Sequence, residues 1–108
     1  MANSFKNYVI NSIGIDDTAV LTATSVATTI IGLSLANITS EFIAASVRLN
    51  KFGSSEVYVV KDAPIPPGSS LVVFGKDEKL ILQTGDILVA SSNTYSAMDA
   101  LLSTLEIN

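Results

Sequence analysis

Short apolar runs, separated by turn-forming residues, recur along most of the chain. The stretch from Val57 to Ser92 holds four of them, at residues 57–60, 71–74, 80–82 and 87–90. Proline, glycine and aspartate residues lie between the runs. Short runs rich in β-branched residues and bounded by such turn residues are typical of strands. Their near-regular spacing predicts an antiparallel meander.

The first half of the chain continues the pattern, and it predicts strands at residues 5–13, 19–23, 28–37 and 42–52. Within 28–37 apolar and small residues alternate. One face carries Ile31, Leu33 and Leu35, and the other carries Gly32, Ser34 and Ala36. A period of two predicts a half-buried strand. The small residues indicate that another sheet or another subunit packs closely on the outward face.

Residues 98–107 fit two patterns. As a helix, the segment offers apolar residues at helical spacing, namely Met98, Leu101, Leu102 and Leu105. As a strand, it offers one face made of Leu101, Ser103, Leu105 and Ile107. The β-branched ending after eight predicted strands favours a ninth. Nine short strands predict an all-β fold, an antiparallel β-sandwich that is jelly-roll-like or immunoglobulin-like, as a single domain over residues 1–108.

Two features point to surfaces that contact something beyond the core. Residues 62–68 contain prolines at 64, 66 and 67, which remove backbone donors, so the segment must be a sheet edge or a crossover to the opposite sheet. The runs at 71–74 and 80–82 are apolar on both faces. In a two-layer sandwich one of those faces would be exposed, which predicts central burial or a subunit contact.

The composition narrows the possible functions. The chain has 108 residues, a mean hydropathy of +0.49 and a net charge of −4. Because charged residues make up 15%, below the usual quarter or so, we expect a partner to cover part of the outer surface. A single arginine, Arg48, and five lysines form no basic stripe, which argues against nucleic acid. Residues 18–40 are uncharged but rich in Ser and Thr, and they predict strands rather than a membrane span.

Catalytic and metal-binding chemistry finds little support. The sequence has no Cys and no His, so it lacks thiolate ligands and the commonest general base. Its carboxylates fall mostly in turns, including Asp16 and Asp17, and no spacing selects a catalytic pair. A calcium site would need loop carboxylates such as Asp77, Glu78 and Asp86, but no Asp-x-Asp-x-Asp pattern occurs. We therefore predict no catalytic, cofactor-binding or metal-binding residue. Arg48, on the outer face of its strand, is expected to pair with an acidic neighbour.

One set of segments resembles a known family. It comprises VVKDAPIPPGSSLVV at 59–73, KLIL at 79–82, GDILV at 85–89, ALLSTLEI at 100–107 and the opening ANSFK at 2–6. These segments resemble small virion structural proteins of tailed bacteriophages, especially those of cyanobacterial and other marine phages. The resemblance implies an accessory particle protein located in the virion, a capsid decoration, neck or tail component that forms small symmetric oligomers. It implies no catalytic or ligand residue.

The combined hypothesis is a non-enzymatic protein that binds its own copies, as a trimer, and a neighbouring virion protein, without nucleic acid or membrane. The contacts are expected in the proline crossover, the two-faced runs and the 93–96 loop, at Pro64, Ile65, Pro66, Pro67, Leu71, Val73 and Tyr95. An alternative hypothesis is a recognition module that binds a glycan or a cell-surface polymer through Tyr58 or Tyr95. A hydrolase that uses the loop carboxylates is the third hypothesis.

Overall fold

A computed structural model describes residues 3–51, 55–75 and 79–107, and in those ranges the chain forms nine strands and no helix. The strands are β1 (Asn3–Ile13), β2 (Thr18–Thr22), β3 (Ala27–Asn37), β4 (Ile43–Asn50), β5 (Glu56–Ile65), β6 (Ser70–Phe74), β7 (Leu80–Gln83), β8 (Ile87–Ser92) and β9 (Met98–Ile107). All nine predicted strands are confirmed, including the ambiguous last one. Across the same ranges there is no helix that could cross a membrane.

The strands form two antiparallel sheets that pack as a sandwich. One sheet has the order β1-β9-β3-β6, with β7 also paired to β3, and the other has the order β2-β8-β4-β5. The partners of β6 and β7 follow each other along β3, so the two short strands act as one interrupted strand. Counted that way, the first strand pairs with the last, the second with the seventh, the third with the sixth and the fourth with the fifth. This arrangement is a jelly roll, and the immunoglobulin-like alternative is wrong.

The meander predicted for the second half is also wrong. No two consecutive strands among β5, β6, β7 and β8 pair with each other. The connections before β6, β8 and β9 pass from one sheet to the other, while β6 and β7 follow one another along β3. Strand propensity locates the strands, but it carries no information about which strands pair.

The core lies between the sheets, and a bulge corrects the predicted facing of β3. Ile30, Leu33 and Leu35 are fully buried. The register of β3 against β9 shifts between Ile30 and Gly32. An extra residue in one strand reverses the facing of the residues on either side of it, so Ile30 takes the inward position that the alternation assigned to Ile31. Ile31 instead turns to the outer face.

The proline-rich segment lies at an edge and then crosses, as predicted. Its first part ends β5, the edge strand of the four-stranded sheet, where Pro64 is opposite Ala44. The register against β4 shifts twice, and Asp62 has a left-handed backbone (φ 51°) whose N–H donates to the Ser46 hydroxyl at 3.0 Å. The chain then turns through residues 66–69 and enters the opposite sheet as β6.

Candidate functional site

The outer face of the five-stranded sheet carries large apolar side chains without a covering layer from the described part of this chain. Their exposed fractions are 77% for Phe5, 75% for Val9, 63% for Val72, 62% for Ile81 and 50% for Leu101. Isolated exposed apolar residues are normal on a protein surface, whereas a contiguous set marks an interaction site. We call this surface the sheet face.

The strand register brings these side chains into two rows across the sheet. Residues paired in successive ladders lie side by side on one face. The first row runs through Val9, Leu101, Ser34 and Val72. The second row runs through Phe5, Leu105, Thr29 and Ile81. The sheet face is therefore a largely apolar surface that spans four neighbouring strand positions, with uncharged polar residues such as Ser34, Thr29 and Ser103 among the apolar ones.

Small residues of β3 form a depression in this surface. A groove of about 690 Å³ is bordered by Val9 and Leu101, and Ser34, Ala36 and Ser70 also line it. A second depression of about 180 Å³ lies between Leu101 and Val72 and includes Gly32. The sequence predicted that another sheet or a subunit packs against these small residues. Within the described ranges no sheet of this chain does so, and a subunit contact stays a prediction.

The sheet face is nearly free of charge. Among the outward-facing positions that the structure describes on its five strands, Asp99 carries the single formal charge. Asp99 lies at one margin, where its carboxylate accepts the backbone N–H of Ser12 at 2.9 Å. A surface of this kind loses little solvation free energy when another apolar surface covers it.

A second apolar surface lies at one end of the sandwich, where the loops at 14–17, 38–42, 66–69 and 93–97 meet. Backbone hydrogen bonds join these loops, for example from Ile38 to Ala97 at 2.9 Å. Its exposed apolar side chains are Ile15, Ile38, Phe42 and Tyr95, with Pro66 and Pro67 beside them. We call this surface the loop end. It also carries the exposed carboxylates of Asp16 and Glu41, and Asp17 beside them is paired with Arg48.

Asn37 holds the loop end together. It is 3% exposed, and its amide nitrogen donates to the carbonyl oxygens of Glu41 at 2.7 Å and Ile65 at 2.9 Å. Its side-chain oxygen accepts the backbone N–H of Thr39 at 2.8 Å and the Thr39 hydroxyl at 2.7 Å. One side chain thus fixes the 38–42 loop against the end of β5. The sequence pattern placed Asn37 at the end of a strand and gave no sign of this role.

The predicted interface residues divide into exposed and inward-facing ones. Pro64, Pro66, Pro67 and Tyr95 are exposed, and their contacts stay a prediction. Ile65 is fully buried and Val73 is 9% exposed, while Leu71 packs on the core. These three side chains point into their own sandwich, and the interface predicted for all seven residues stays a prediction. The residue of this strand that faces outward is Val72, because β6 has the opposite facing from the one assumed.

Arg48 has the acidic partner that was predicted for it. Its guanidinium lies 2.5 Å from the Asp17 carboxylate and 4.0 Å from that of Glu56, on the outer face of the four-stranded sheet. The hydrogen bond with Asp17 is the main cause that raises the pKa of Arg48. Tyr58 has Arg48 at 5.9 Å and Lys61 at 5.2 Å from its ring centre, so cations lie close to the ring that a sugar would need to approach. This face is polar where the sheet face is apolar.

A buried carboxylate at Glu106 is a feature that the sequence pattern did not predict. Glu106 is 5% exposed and accepts hydrogen bonds from the hydroxyls of Tyr8, Ser25 and Thr104, with Lys6 Nζ at 3.5 Å. The hydrogen bond from Tyr8 is the main cause that lowers the pKa of Glu106, and the same bond raises the pKa of Tyr8 to about 12. Four donors surround the carboxylate, so the cluster is a structural anchor that ties β1 to β9.

The structure tests part of the calcium hypothesis. In the described ranges, no three acidic, His or Cys side chains converge as metal ligands. Asp86 is buried, and its carboxylate accepts from Lys51 Nζ at 2.6 Å and from the backbone N–H of Gln83 at 2.9 Å. Asp77 and Glu78 lie outside the described residues. The environment of Asp86 is that of a buried ion pair closing a turn.

Comparisons with known proteins show that this chain is similar in fold to a phage capsid protein of known structure. No family model matches the sequence, and a comparison with curated proteins gives no match. A chain in the acid-stable capsid structure of Helicobacter pylori bacteriophage KHP30 superposes with a TM-score of 0.55, over 99% of this chain and 89% of that one, at 10% identity. Two crystal structures of a pentameric capsid protein from metagenomic phage sequences give TM-scores of 0.49 and 0.46 at 14% and 12% identity, over 94% of this chain. This chain spans 59% and 66% of the length of those two.

Proposed function

We propose that this protein is a non-enzymatic structural component of a bacteriophage virion, which associates with its own copies and binds a neighbouring particle protein. The observation that carries the proposal is the sheet face, a largely apolar and nearly uncharged surface on a small jelly roll. A protein that works alone in water would leave this apolar surface in contact with solvent, which is unfavourable. In a particle, neighbouring subunits cover such a surface. The fold it has in common with a chain of a phage capsid supports the same conclusion.

Within a particle we place the protein as an accessory component of a tailed phage, at the capsid surface, the neck or the tail, as in the cyanophage-like proteins that its sequence resembles. We propose a closed oligomer, a trimer, because closed symmetry satisfies every copy of an interface without leaving an unpaired one. Light scattering on the purified chain gives the stoichiometry. A stable dimer or pentamer would correct the trimer while leaving self-association intact.

We propose that the loop end binds the neighbouring particle protein. It combines exposed aromatic and proline side chains with the carboxylates of Asp16 and Glu41, and this mixture suits a partner surface that is apolar at its centre and basic at its rim. The exposed residues that the sequence predicted for contacts, Pro66, Pro67 and Tyr95, belong to this end. Because part of the attraction is electrostatic, added salt should weaken this binding.

Particles that lack this protein provide the test of the proposed function. A phage with the gene deleted is purified, and the recombinant chain is added and sedimented with the particles. We expect saturable binding, and we expect the double variant Phe42→Ser/Tyr95→Ser to bind about 30-fold more weakly because both side chains are exposed anchors. Val26→Ser, exposed at the opposite end, is the matched control. Absence of the chain from purified wild-type particles by mass spectrometry would refute the proposal.

The glycan hypothesis makes a contrasting prediction. A recognition module would be a monomer whose tyrosine fluorescence changes when a glycan is titrated into it. The three tyrosines lie in separate places: Tyr8 bonds Glu106, Tyr58 is on the outer face of the four-stranded sheet, and Tyr95 is at the loop end. Such scattered rings make no shared platform for a sugar, which favours the structural role. A fluorescence change with a surface glycan, together with a monomeric state, would reverse that preference.

A further inference from the structure

We infer that the sheet face is the surface through which copies of this chain meet, and that a second copy covers it. The inference deepens the proposed function, on whose self-association it rests, by assigning the two apolar surfaces to different partners. The sheet face is assigned to another copy, and the loop end is left for the neighbouring protein. The occupant follows from the charge, the shape and the area of the face.

Charge separates the two candidate surfaces. The chain has a net charge of −4, so two copies repel unless they meet where each is uncharged. At the loop end, two copies would bring the exposed carboxylates of Asp16 and Glu41 against their equivalents, whereas Asp17 is paired with Arg48. On the sheet face the one described charge, Asp99, lies at the margin and is hydrogen-bonded to Ser12. Like-charge repulsion therefore disfavours self-association at the loop end and hardly affects it at the sheet face.

The sheet face has both a projecting side chain and a recess that could receive the same side chain of a second copy. Leu101 protrudes, and its cross-strand neighbour Ser34 lies in the groove bordered by Leu101 and Val9. A projection directly beside a recess allows one copy to insert Leu101 where the other has small residues. Self-complementarity of this kind is the requirement for an interface between identical subunits. Two copies that present the same face meet this requirement in a two-fold contact, whereas a trimer would bring the face against a different surface of the next copy.

The area is of the size that such a contact needs. The five large side chains of the sheet face expose roughly 550 Å² in total, compared with about 800 Å² that each partner buries in a standard interface. Asn7, Ser103 and Gly32, which lie between the two rows, would make up the remainder together with the small residues within the rows. The face can therefore form the apolar centre of a stable oligomer without any other part of the molecule.

The oligomeric state of matched variants tests the inference. Val9→Glu is compared with Val26→Glu, because both valines are highly exposed, at 75% and 69%, and Val26 lies away from the sheet face. In sedimentation equilibrium on the full chain, we expect Val9→Glu and Leu101→Glu to raise the dissociation constant of the oligomer by about 100-fold or more. Val26→Glu should leave it unchanged. Circular dichroism confirms that each variant keeps its strands.

Thiol protection gives a second readout that requires no disruptive charge. The sequence has no cysteine, so Leu101→Cys and Val26→Cys each place one thiol in the chain. In the wild-type-like oligomer the thiol at position 101 should react with a maleimide about tenfold more slowly than the thiol at position 26, and the difference should vanish on dilution to monomer. This measurement decides the question even if the glutamate variants fail to fold.

The outcomes separate this inference from the proposed function. If the wild type is an oligomer that survives Val9→Glu and Leu101→Glu, and the thiol at position 101 is as reactive as that at position 26, the sheet face is not the interface, while self-association stands. If the wild type stays monomeric at the highest soluble concentration, both the sheet-face interface and the proposed self-association are refuted. Sedimentation of the chain with depleted particles would then still decide whether it binds the virion.

Discussion

Replacing Asn37 with alanine is expected to lower the free energy of unfolding by about 3 kcal/mol. Asn37 is almost fully buried, and its amide makes four hydrogen bonds that close the 38–42 loop onto the end of β5. Removing it leaves the carbonyl oxygen of Ile65 without this donor in a place that water reaches poorly. A buried acceptor without a partner costs more than an ordinary hydrogen bond contributes. Urea denaturation followed by circular dichroism measures the loss.

The consequence for function distinguishes this variant from a general loss of stability. Because Asn37 fixes the loop that carries Phe42, Asn37→Ala should also weaken binding to depleted particles at temperatures where the chain remains folded. Self-association through the sheet face, as inferred above, should be unaffected at those temperatures. Asn11→Ala, at an exposed position of β1, is the control and should change stability by less than about 0.5 kcal/mol. An Asn37→Ala protein as stable as the wild type would contradict the role given to this side chain.

Glu106→Gln is expected to lower the free energy of unfolding by about 2 kcal/mol at neutral pH. The carboxylate accepts three hydroxyl donors, and hydrogen bonds to a charged acceptor are stronger than those to a neutral amide. Glutamine keeps the shape but loses the charge, and its NH2 group replaces a carboxylate oxygen that accepted hydrogen bonds from hydroxyl groups. Glu56→Gln, where the carboxylate is 56% exposed, is the matched control and should have an effect of less than about 0.5 kcal/mol.

The pH dependence identifies the cause of that loss. The pKa of Glu106 is lower in the folded protein than its ordinary value of 4.5, mainly through the hydrogen bond from Tyr8. A lowered folded pKa adds stability that is complete above the unfolded pKa and is lost as the pH falls through the folded one. The gap between wild type and Glu106→Gln should therefore narrow below about pH 4.5. A gap that stays constant down to about pH 3 would contradict the charged hydrogen bonds as its source.

At the alkaline end the same hydrogen bond acts with the opposite sign. The pKa of Tyr8 is raised to about 12 from an ordinary 10.0. A raised folded pKa adds stability that is complete below the unfolded value and is lost as the pH rises through the folded value. Tyr8→Phe should therefore be less stable than the wild type up to about pH 10, and the difference in the free energy of unfolding should shrink as the pH rises towards 12. The ultraviolet absorbance of the tyrosinate, recorded during alkaline titration, reports the ionisation directly.

The strands could be predicted from the sequence because each is a short apolar run bounded by turn residues, and both propensity and pattern are local. The facing of some strands could not. In β6 every residue from Leu71 to Phe74 is apolar, so the sequence does not show which residues face the core. In the structure the outward-facing residue is Val72. In β3 the alternation is clear, but a bulge shifts its phase at Ile31. Pairing could not be predicted either, because it depends on contacts between distant residues.

The sequence indicated that an apolar surface exists, but it identified only some of the residues that form it. Low charge and two-faced strands indicated a covered surface, and the structure has an exposed apolar one. Tyr95 and the prolines were assigned from their loops, which the jelly roll gathers at one end. Phe5 and Val9 were missed, because in the sequence an exposed apolar residue of a strand looks like an ordinary core position. The Glu106 cluster was missed because its donors come from separate parts of the chain, and a single Glu in a strand gives no signal of them.

The edge strand β5 limits how an assembly of this protein can grow. A free strand edge can accept a strand from another molecule, and repeated addition produces ribbons and fibres with no fixed length. Here the edge is interrupted by the left-handed turn at Asp62 and by Pro64, which has no N–H to offer. The second half of β5 is therefore a poor template for a strand from another molecule, and open-ended growth by strand addition is disfavoured at this edge.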